Sequence, residues 1–313
     1  MAKVLIIRFS ALGDVAMLAP IVRTAAEQYP DVAFTMLSQQ RFSDLFADMP
    51  ANVSFHGVDI RQQSLHEIVA GLGIYDAVAD MHGVWRSLYI RTAMRCKGAR
   101  IASIHKGRLA KWRLTHSKHP TPLLHTSKLY TAVLAQLGLT VRLPERVRSA
   151  GQGIGIAPFA AHQGKIYPIE RMERVVAILS GKGEKVVLFG GGKTEQAVLD
   201  AWAEKYPHVE SVAGRKTLRE ELDIMRGLRV MLTMDSGNMH LASLVGTRGV
   251  SVWGATHPYA GFLGFGQSEN DCIQRDLDCR PCSVYGNKKC RYGDYRCMDI
   301  TPEEIVERLK NEE

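Results

Sequence analysis

The tetrad Asp235-Ser236-Gly237-Asn238 ends an apolar run that begins at Leu228 and leads at once into Met239-His240-Leu241-Ala242-Ser243-Leu244-Val245-Gly246. This is the pattern of a short buried strand that turns into a short helix closed by a glycine. The first backbone N–H groups of such a helix have no partner inside it, and the positive end of the helix dipole lies beside them. A phosphate fits there. An ordinary capped helix would use the same residue types, because Asp and Ser are favoured caps.

Other groups able to do chemistry fall at similar places. Lys165 lies in the loop Phe159–Pro168, between a strand from Ile154 and a helix from Ile169, where its point charge and rotatable donors would suit a phosphate. Gly190, Gly191 and Gly192 follow the strand Lys185–Phe189 and would let a ligand approach the backbone closely. Glu195, just after them, could bind ribose hydroxyls or simply favour the start of its helix. Gly254-Ala255-Thr256 ends the strand Gly249–Trp253, so three successive strand ends carry small and polar residues suited to one nucleotide. In the first half, Asp14 closes Ser10-Ala11-Leu12-Gly13-Asp14 between the apolar strand Lys3–Phe9 and the helix Val15–Gln28. His82 and Arg86 occupy the same kind of strand-to-helix turn after Tyr75–Met81.

These residues need a scaffold, and the rhythm of apolar runs supplies one. Strands at Val32–Leu37 and Val53–His56 alternate with helices near Arg41–Asp48, Leu65–Gly71 and Ser127–Leu137. Ile169–Gly181, Val209–Ala213 and Leu218–Arg226 repeat the alternation further on, and Pro302–Lys310 forms a final helix. Alternation of this kind builds mainly parallel sheets covered on both faces, with ligands beyond the C-terminal ends of the strands. At 313 residues the chain exceeds one core of roughly 150 residues, and Leu143–Gly153, with Pro at one end and Gly at the other, reads as the linker.

Composition narrows the function classes. No run approaches the ~18 apolar residues of a membrane span, and the opening apolar run Val4–Ile7 is too short for a signal peptide, so a cytoplasmic location is expected. The G-x-G-x-x-G dinucleotide fingerprint is absent, which argues against a nicotinamide oxidoreductase. The net charge of +8 points to anionic partners. Its source is the stretch from Arg91 to His119, which includes Lys106, Arg108, Lys111 and Arg113 and no acidic residue. Trp112 is its only aromatic stacking platform, which suits a nucleic acid poorly. A phosphorylated acceptor near a membrane accounts for the charges better, and Leu109–Leu114 could lie on an anionic bilayer. Cys279, Cys282, Cys290 and Cys297 offer enough thiolates for a structural zinc, although only the first pair has common zinc-ligand spacing; reduced thiols packed in a loop, or disulfides formed on oxidation, are favoured over zinc.

With Phe9-Ser10-Ala11-Leu12-Gly13-Asp14, Lys165-Ile166-Tyr167-Pro168, Gly190-Gly191 with Glu195, and above all Met234-Asp235-Ser236-Gly237-Asn238-Met239-His240-Leu241-Ala242 in view, the chain resembles the family 9 glycosyltransferases, the bacterial heptosyltransferases. The resemblance runs from Arg8 to Asp299. It implies an α/β fold of GT-B architecture, with two Rossmann-like doubly wound domains facing across a cleft. The expected division is 1–148 for the acceptor, 149–298 for the nucleotide sugar, and a tail at 299–313 packing back towards the first domain. It also implies inverting transfer of heptose or a related sugar from an ADP-sugar to a lipopolysaccharide inner-core or lipid A-type acceptor. No cofactor is expected to be required, and the enzyme would associate peripherally with the cytoplasmic face of the inner membrane. By position, Asp14 looks like the catalytic base, and Lys165, Gly190, Gly191, Glu195, Asp235, Ser236, Gly237, Asn238 and His240 like the donor site, Lys165 also aiding departure of the diphosphate. His82, Arg86, Lys106, Arg108, Lys111 and Arg113 are candidates for the acceptor. A family member using another nucleotide sugar is the nearest alternative, and a basic nucleic-acid-binding protein the alternative of another class.

Overall fold

The computed structural model describes residues 1–145 and 149–310. It divides into two compact units, Met1–Gly107 with Leu124–Glu145, and Arg108–Leu123 with the described part of Arg146–Glu313. Residues 146–148 of the expected linker lie outside the described residues.

In chain order the first unit and its neighbour segment contain β1 (Ala2–Ile7), α1 (Leu12–Gln28), β2 (Val32–Gln39), β3 (Val53–Val58), α2 (Leu65–Gly71), β4 (Ala77–Asp80), α3 (Trp85–Cys96), β5 (Arg100–Ser103), α4 (Arg108–His116) and α5 (Thr126–Ala135). Arg41–Asp48, expected as a short helix, is a 3-10 helix over Gln40–Phe46. The strands form a parallel sheet of order β3-β2-β1-β4-β5, with Ile7 opposite Leu37 on one side and Asp80 on the other. Val4 to Ile7 are buried because β1 is central and covered on both faces, the reason its sequence is continuously apolar rather than alternating. Leu5, Ile7 and Phe9 join Ile90 and Met94 of α3 in one apolar core. The helix α2 starts where Ser64 and Glu67 cap each other reciprocally, the Ser64 hydroxyl accepting from Glu67 N and the Glu67 carboxylate from Ser64 N.

The second unit continues with β6 (Ile154–Ala157), α6 (Ile169–Gly181), β7 (Val186–Leu188), α7 (Gly192–Lys205), β8 (Val209–Ser211), α8 (Leu218–Arg226), β9 (Val230–Met234), α9 (Gly237–Val245), β10 (Arg248–Trp253), β11 (Cys272–Gln274) and α10 (Pro302–Lys310). Its sheet is also parallel, in the order β11-β10-β9-β6-β7-β8. In both sheets the order reverses once, between β1 and β4 in the first and between β6 and β9 in the second. At such a reversal adjacent connections leave on opposite faces, and the loops after the two strands border a crevice.

Two placements differ from the sequence expectation. The segment Arg108–Leu123, expected in the first domain, packs with the second unit: Lys111 Nζ donates to the Tyr285 hydroxyl at 3.0 Å, and Leu123 N to the Tyr259 carbonyl at 2.8 Å. The final helix was expected to pack back towards the first domain. Instead Ile305, Val306 and Leu309 of α10 are buried in the second unit's own core, and the Tyr167 hydroxyl ties the chain just before the helix through the Ile300 carbonyl at 2.7 Å. The apolar stripe of α10 has to be buried somewhere, and the face of α6 that carries Met172, Val176 and Leu179 contributes to the same core.

Candidate active site

At the reversal in the first unit, the apolar run of β1 ends at Arg8. One side-chain nitrogen of Arg8 lies 2.5 Å from Asp14 Oδ2 and another donates to the Met81 carbonyl at 2.6 Å, so the loops after β1 and β4 are joined through one guanidinium. Asp14 sits in the first turn of α1, where Oδ2 also accepts from Ala11 N at 3.2 Å. Asp14 therefore caps its helix and, with 26% of its side chain exposed, still offers a carboxylate to solvent. The other oxygen, Oδ1, accepts from the hydroxyl of buried Tyr130 at 3.5 Å.

The loop after β4 is organised by Asp80, whose side chain is fully buried. Its carboxylate accepts from His82 N at 2.9 Å, Gly83 N at 2.8 Å and Ser87 Oγ at 3.0 Å, and lies 3.2 Å from Arg91. Every lone pair has a use, so Asp80 is a fixture of the turn rather than a candidate base. His82 is brought next to the Arg8–Asp14 pair: its Nδ1 accepts from Phe9 N at 3.4 Å. Burial and then the nearby Arg8 charge lower its pKa from 6.5 to about 4. A neutral ring that accepts at Nδ1 carries its proton on Nε2, which makes His82 a hydrogen-bond donor at neutral pH. Lys106 reaches the same turn, its Cε lying against Gly83, while Arg86 stacks on the Trp85 ring at 4.8 Å. Arg108, Lys111 and Arg113 belong to α4 in the second unit, where Lys111 lies over the rings of Phe262 and Tyr285.

At the reversal in the second unit, Lys165 Nζ stands 2.8 Å from Asp235 Oδ2, with 14% and 4% of the two side chains exposed. The two form a close ion pair, although Asp235 Oδ2 is buried without a hydrogen bond of good geometry among the described residues, which leaves the ammonium donors for an incoming anion. The lysine stem is positioned by Gly286, at φ +76°: a Cβ there would stand 2.7 Å from Lys165 Cγ and 2.9 Å from Cε. The carbonyl of Gly164 accepts from Ala255 N at 2.8 Å, which stitches the loop after β6 to the loop after β10. The buried guanidinium of Arg280 fixes that second loop, donating to the carbonyls of Gly254, Trp253 and Thr256 at 2.5, 3.1 and 2.8 Å.

Beside this clasp α9 begins, with Ser236 as its cap residue and Gly237 as its first helical residue. Ser236 Oγ and Thr256 Oγ1 are buried with no hydrogen-bond partner among the described residues. Buried hydroxyls without partners are costly and are expected where a ligand completes them. His240 is buried on the same helix, with Asn238 partly exposed in its first turn. Gly190 and Gly191 follow β7, and one carboxylate oxygen of Glu195 accepts from Gly191 N at 2.7 Å at the start of α7. The structure thus gathers Asp14 with His82 and Lys106 in one unit, and Lys165 with Asp235, Ser236 and Gly237 in the other.

Comparison with known proteins identifies the family. Residues 71–293 match the family model described as glycosyltransferase family 9 (heptosyltransferase). The chain belongs to this family. A lipooligosaccharide heptosyltransferase 2 of Campylobacter jejuni is 22% identical over 96% of this chain and 95% of its own length. A lipopolysaccharide heptosyltransferase 3 of Escherichia coli is 23% identical over 78% of this chain and 81% of its own. The structure of E. coli heptosyltransferase WaaC with ADP-2-deoxy-2-fluoro heptose superimposes with a TM-score of 0.67 at 19% identity, covering 91% of this chain and 97% of that one. The fold of this family 9 chain is GT-B.

Three residues of this glycosyltransferase escaped the sequence reading: Arg8, Tyr130 and Gly286. A charged residue ending an apolar strand run is a signal that could have marked Arg8; nothing local marks Tyr130 or Gly286. Among the described residues no group of three or more His, Cys, Asp and Glu is arranged to hold a metal. Cys279, Cys282, Cys290 and Cys297 are free thiols, and burial pushes Cys297 up to about 11 and raises Cys282, so these two stay protonated near neutrality. Among the described residues no helix is long and apolar enough to cross a membrane.

The two depressed histidines set a pH dependence of stability. His257, like His82, is held down at about 4, by burial first and then by Arg280. Unfolded, both take up a proton near 6.5, and folded they do not until about 4. At these two positions the unfolded chain binds more protons across this window, so their contribution to stability falls as pH falls from about 6.5 to about 4, while Glu221, which burial pushes up to about 7, offsets one of them over part of the same range. Melting curves over that range should show the decline, with a shallower slope for the His82→Gln and His257→Gln double variant. An equal slope in that variant would assign the acid sensitivity to other groups.

Proposed function

We propose that this family 9 glycosyltransferase moves heptose from ADP-heptose to an anionic inner-core acceptor of lipopolysaccharide, with inversion at the anomeric carbon. The observation that carries the reading is the Lys165–Asp235 clasp at 2.8 Å beside the open N-terminus of α9. A diphosphate placed there meets the Lys165 ammonium, the N–H groups following Ser236, and the Ser236 hydroxyl. The relatives' names and the ADP-sugar analogue held by WaaC support the donor and the sugar.

The second unit is assigned to the donor and the first to the acceptor. The acceptor hydroxyl loses its proton to Asp14 Oδ1 as its oxygen attacks the anomeric carbon. The bond from that carbon to the phosphate oxygen breaks, ADP leaves with the electron pair, and a single displacement inverts the centre. Charge grows on the departing diphosphate, and Lys165 with the α9 dipole opposes it without calling on a metal ion. His82, donating through Nε2, orients the acceptor, and Arg86 and Lys106 bring charge for its phosphate or carboxylate groups. In the second unit, α4 exposes Leu109 and Trp112 beside Arg108 and Arg113, a surface suited to peripheral contact with the cytoplasmic face of the inner membrane.

A thermal-shift series with ADP, ADP-heptose, UDP, UDP-glucose and NAD, followed by a transfer assay on a heptose-deficient inner-core acceptor, tests the reading. Binding only to the folded state stabilises by about 2.7 kcal/mol at a hundredfold excess over Kd. The adenine ligands are expected to raise Tm and the uridine ligands to leave it unchanged, with a heptose added to the acceptor by mass. A shift confined to UDP-glucose, or none with ADP-heptose, would replace the donor.

A further inference from the structure

The helix α3 is apolar on two sides. Ile90 and Met94 face the core, as a surface helix requires. On the other side Trp85, Leu88 and Tyr89 are 64%, 49% and 45% exposed, and Thr92 is exposed one turn further on. The spacing i, i+3, i+4, i+7 puts all four on one face. A row of large apolar side chains open to water is costly to keep on a surface and marks a contact.

The charge around the row says what the contact is. From Trp85 to Arg100 the chain carries Arg86, Arg91, Arg95, Lys97 and Arg100 and no acidic residue. On and just after α3, Arg95 and Lys97 are exposed, and the Arg86 guanidinium lies over the Trp85 ring. Trp and Tyr place a flat apolar body at the level of lipid headgroups with a polar edge towards water, and neighbouring Arg and Lys pair with anionic headgroups. A second copy of this chain would present the same cations to one another, an arrangement that opposes self-association through this face.

We propose that the exposed face of α3 docks on an anionic lipid bilayer, with Trp85, Leu88 and Tyr89 entering the headgroup layer and Arg95 and Lys97 holding lipid phosphates. This docking surface is separate from α4 and lies in the unit that carries Asp14. It rests on the reading of the protein as an enzyme acting on a membrane-borne acceptor, and it would keep the first unit at the surface where that acceptor is found.

Co-sedimentation with phosphatidylglycerol/phosphatidylcholine vesicles, compared with phosphatidylcholine alone, tests the proposal on the full-length protein. The wild type is expected to bind the anionic vesicles, and Trp85→Ser/Leu88→Ser/Tyr89→Ser to lose about tenfold in partition coefficient although α4 is intact. Arg95→Glu/Lys97→Glu should lose binding to anionic vesicles only. Because the replaced side chains face solvent, both variants should keep the ADP thermal shift, and Arg95→Glu/Lys97→Glu together with Leu88→Ser/Tyr89→Ser, which leaves the Trp85 ring under Arg86, should keep the kcat/KM for a water-soluble, deacylated acceptor. Unchanged vesicle binding by the triple variant overturns the proposal. So does a raised KM for the soluble acceptor with vesicle binding intact, which would make the row a sugar-stacking surface, or a wild-type dimer that the triple variant converts to monomer. A wild type that transfers heptose yet ignores vesicles sinks the docking alone. Vesicle binding lost in the triple variant of a protein that transfers no heptose supports the docking and sinks the enzyme reading.

Discussion

Asp14→Asn is expected to lower kcat for heptose transfer by about 10²–10⁴-fold, the contribution of a positioned general base. That corresponds to roughly 2.7–5.5 kcal/mol of barrier. Asn keeps the volume and can still accept from Ala11 N, so the first turn of α1 is largely preserved. What it loses is the ability to take a proton, together with the charge opposite Arg8 at 2.5 Å. The pair is 12% and 26% exposed, so its loss costs between the about 0–1 kcal/mol of an open pair and the about 3–5 kcal/mol of a buried one, and the rate is measured on protein shown to remain folded, where the loss of activity is expected to be the larger effect. The contrast in size distinguishes a catalytic group from a helix cap, the two roles that the sequence leaves open for Asp14. Donor affinity is expected to stay within about twofold, because the clasp assigned to the diphosphate belongs to the other unit. The checks are single-turnover transfer rates and an ADP titration on the same preparation. A rate within tenfold of wild type would leave Asp14 as a cap and move the base elsewhere.

How far such assignments could be made from sequence depends on how local their causes are. The helices α2, α6, α8 and α10 have the expected limits, since amphipathic spacing and, in α2 and α8, the Ser64–Glu67 and Thr217–Glu220 capping pairs are written in consecutive residues. Strands β1, β9 and β10 are legible because burial on both faces makes them continuously apolar. β5 and β11 are not. Arg100–Ser103 is four residues inside a basic stretch, Cys272–Gln274 is three inside a polar one, and each is a strand only because β4 or β10 offers it a ladder.

The same division runs through the site. Asp14, Lys165 and Asp235 stand at strand ends, a position visible in the pattern of apolar runs. Their partners are not. Met81, whose carbonyl accepts a hydrogen bond from Arg8, is 73 residues from it, and Gly286, against the stem of Lys165, is more than a hundred residues away in a stretch marked in sequence only by its cysteines. The amphipathic faces of α4 and α10 were legible, but what each packs on is a property of the folded chain.

Lys165→Met is the second change expected to have a large effect, and it acts in two ways that can be separated. Removing the ammonium leaves the Asp235 carboxylate, 4% exposed, without its partner. Breaking a buried pair on one side costs about 3–5 kcal/mol of stability. Losing a preorganised charge at the departing diphosphate costs about 10²–10³-fold in kcat, by analogy with the loss of one oxyanion donor. Met nearly fills the volume of the lysine stem, so its packing against Gly286 is kept and the loss is one of charge. The double variant Lys165→Met/Asp235→Asn removes the stranded carboxylate as well, and its stability should recover by a few kcal/mol relative to the single change, a coupling readable from denaturant midpoints. Its activity should not recover, because the diphosphate still meets no cation. If turnover returned along with stability, Lys165 would be a structural counter-ion to Asp235, and stabilisation of the leaving group would fall to the N-terminus of α9 alone.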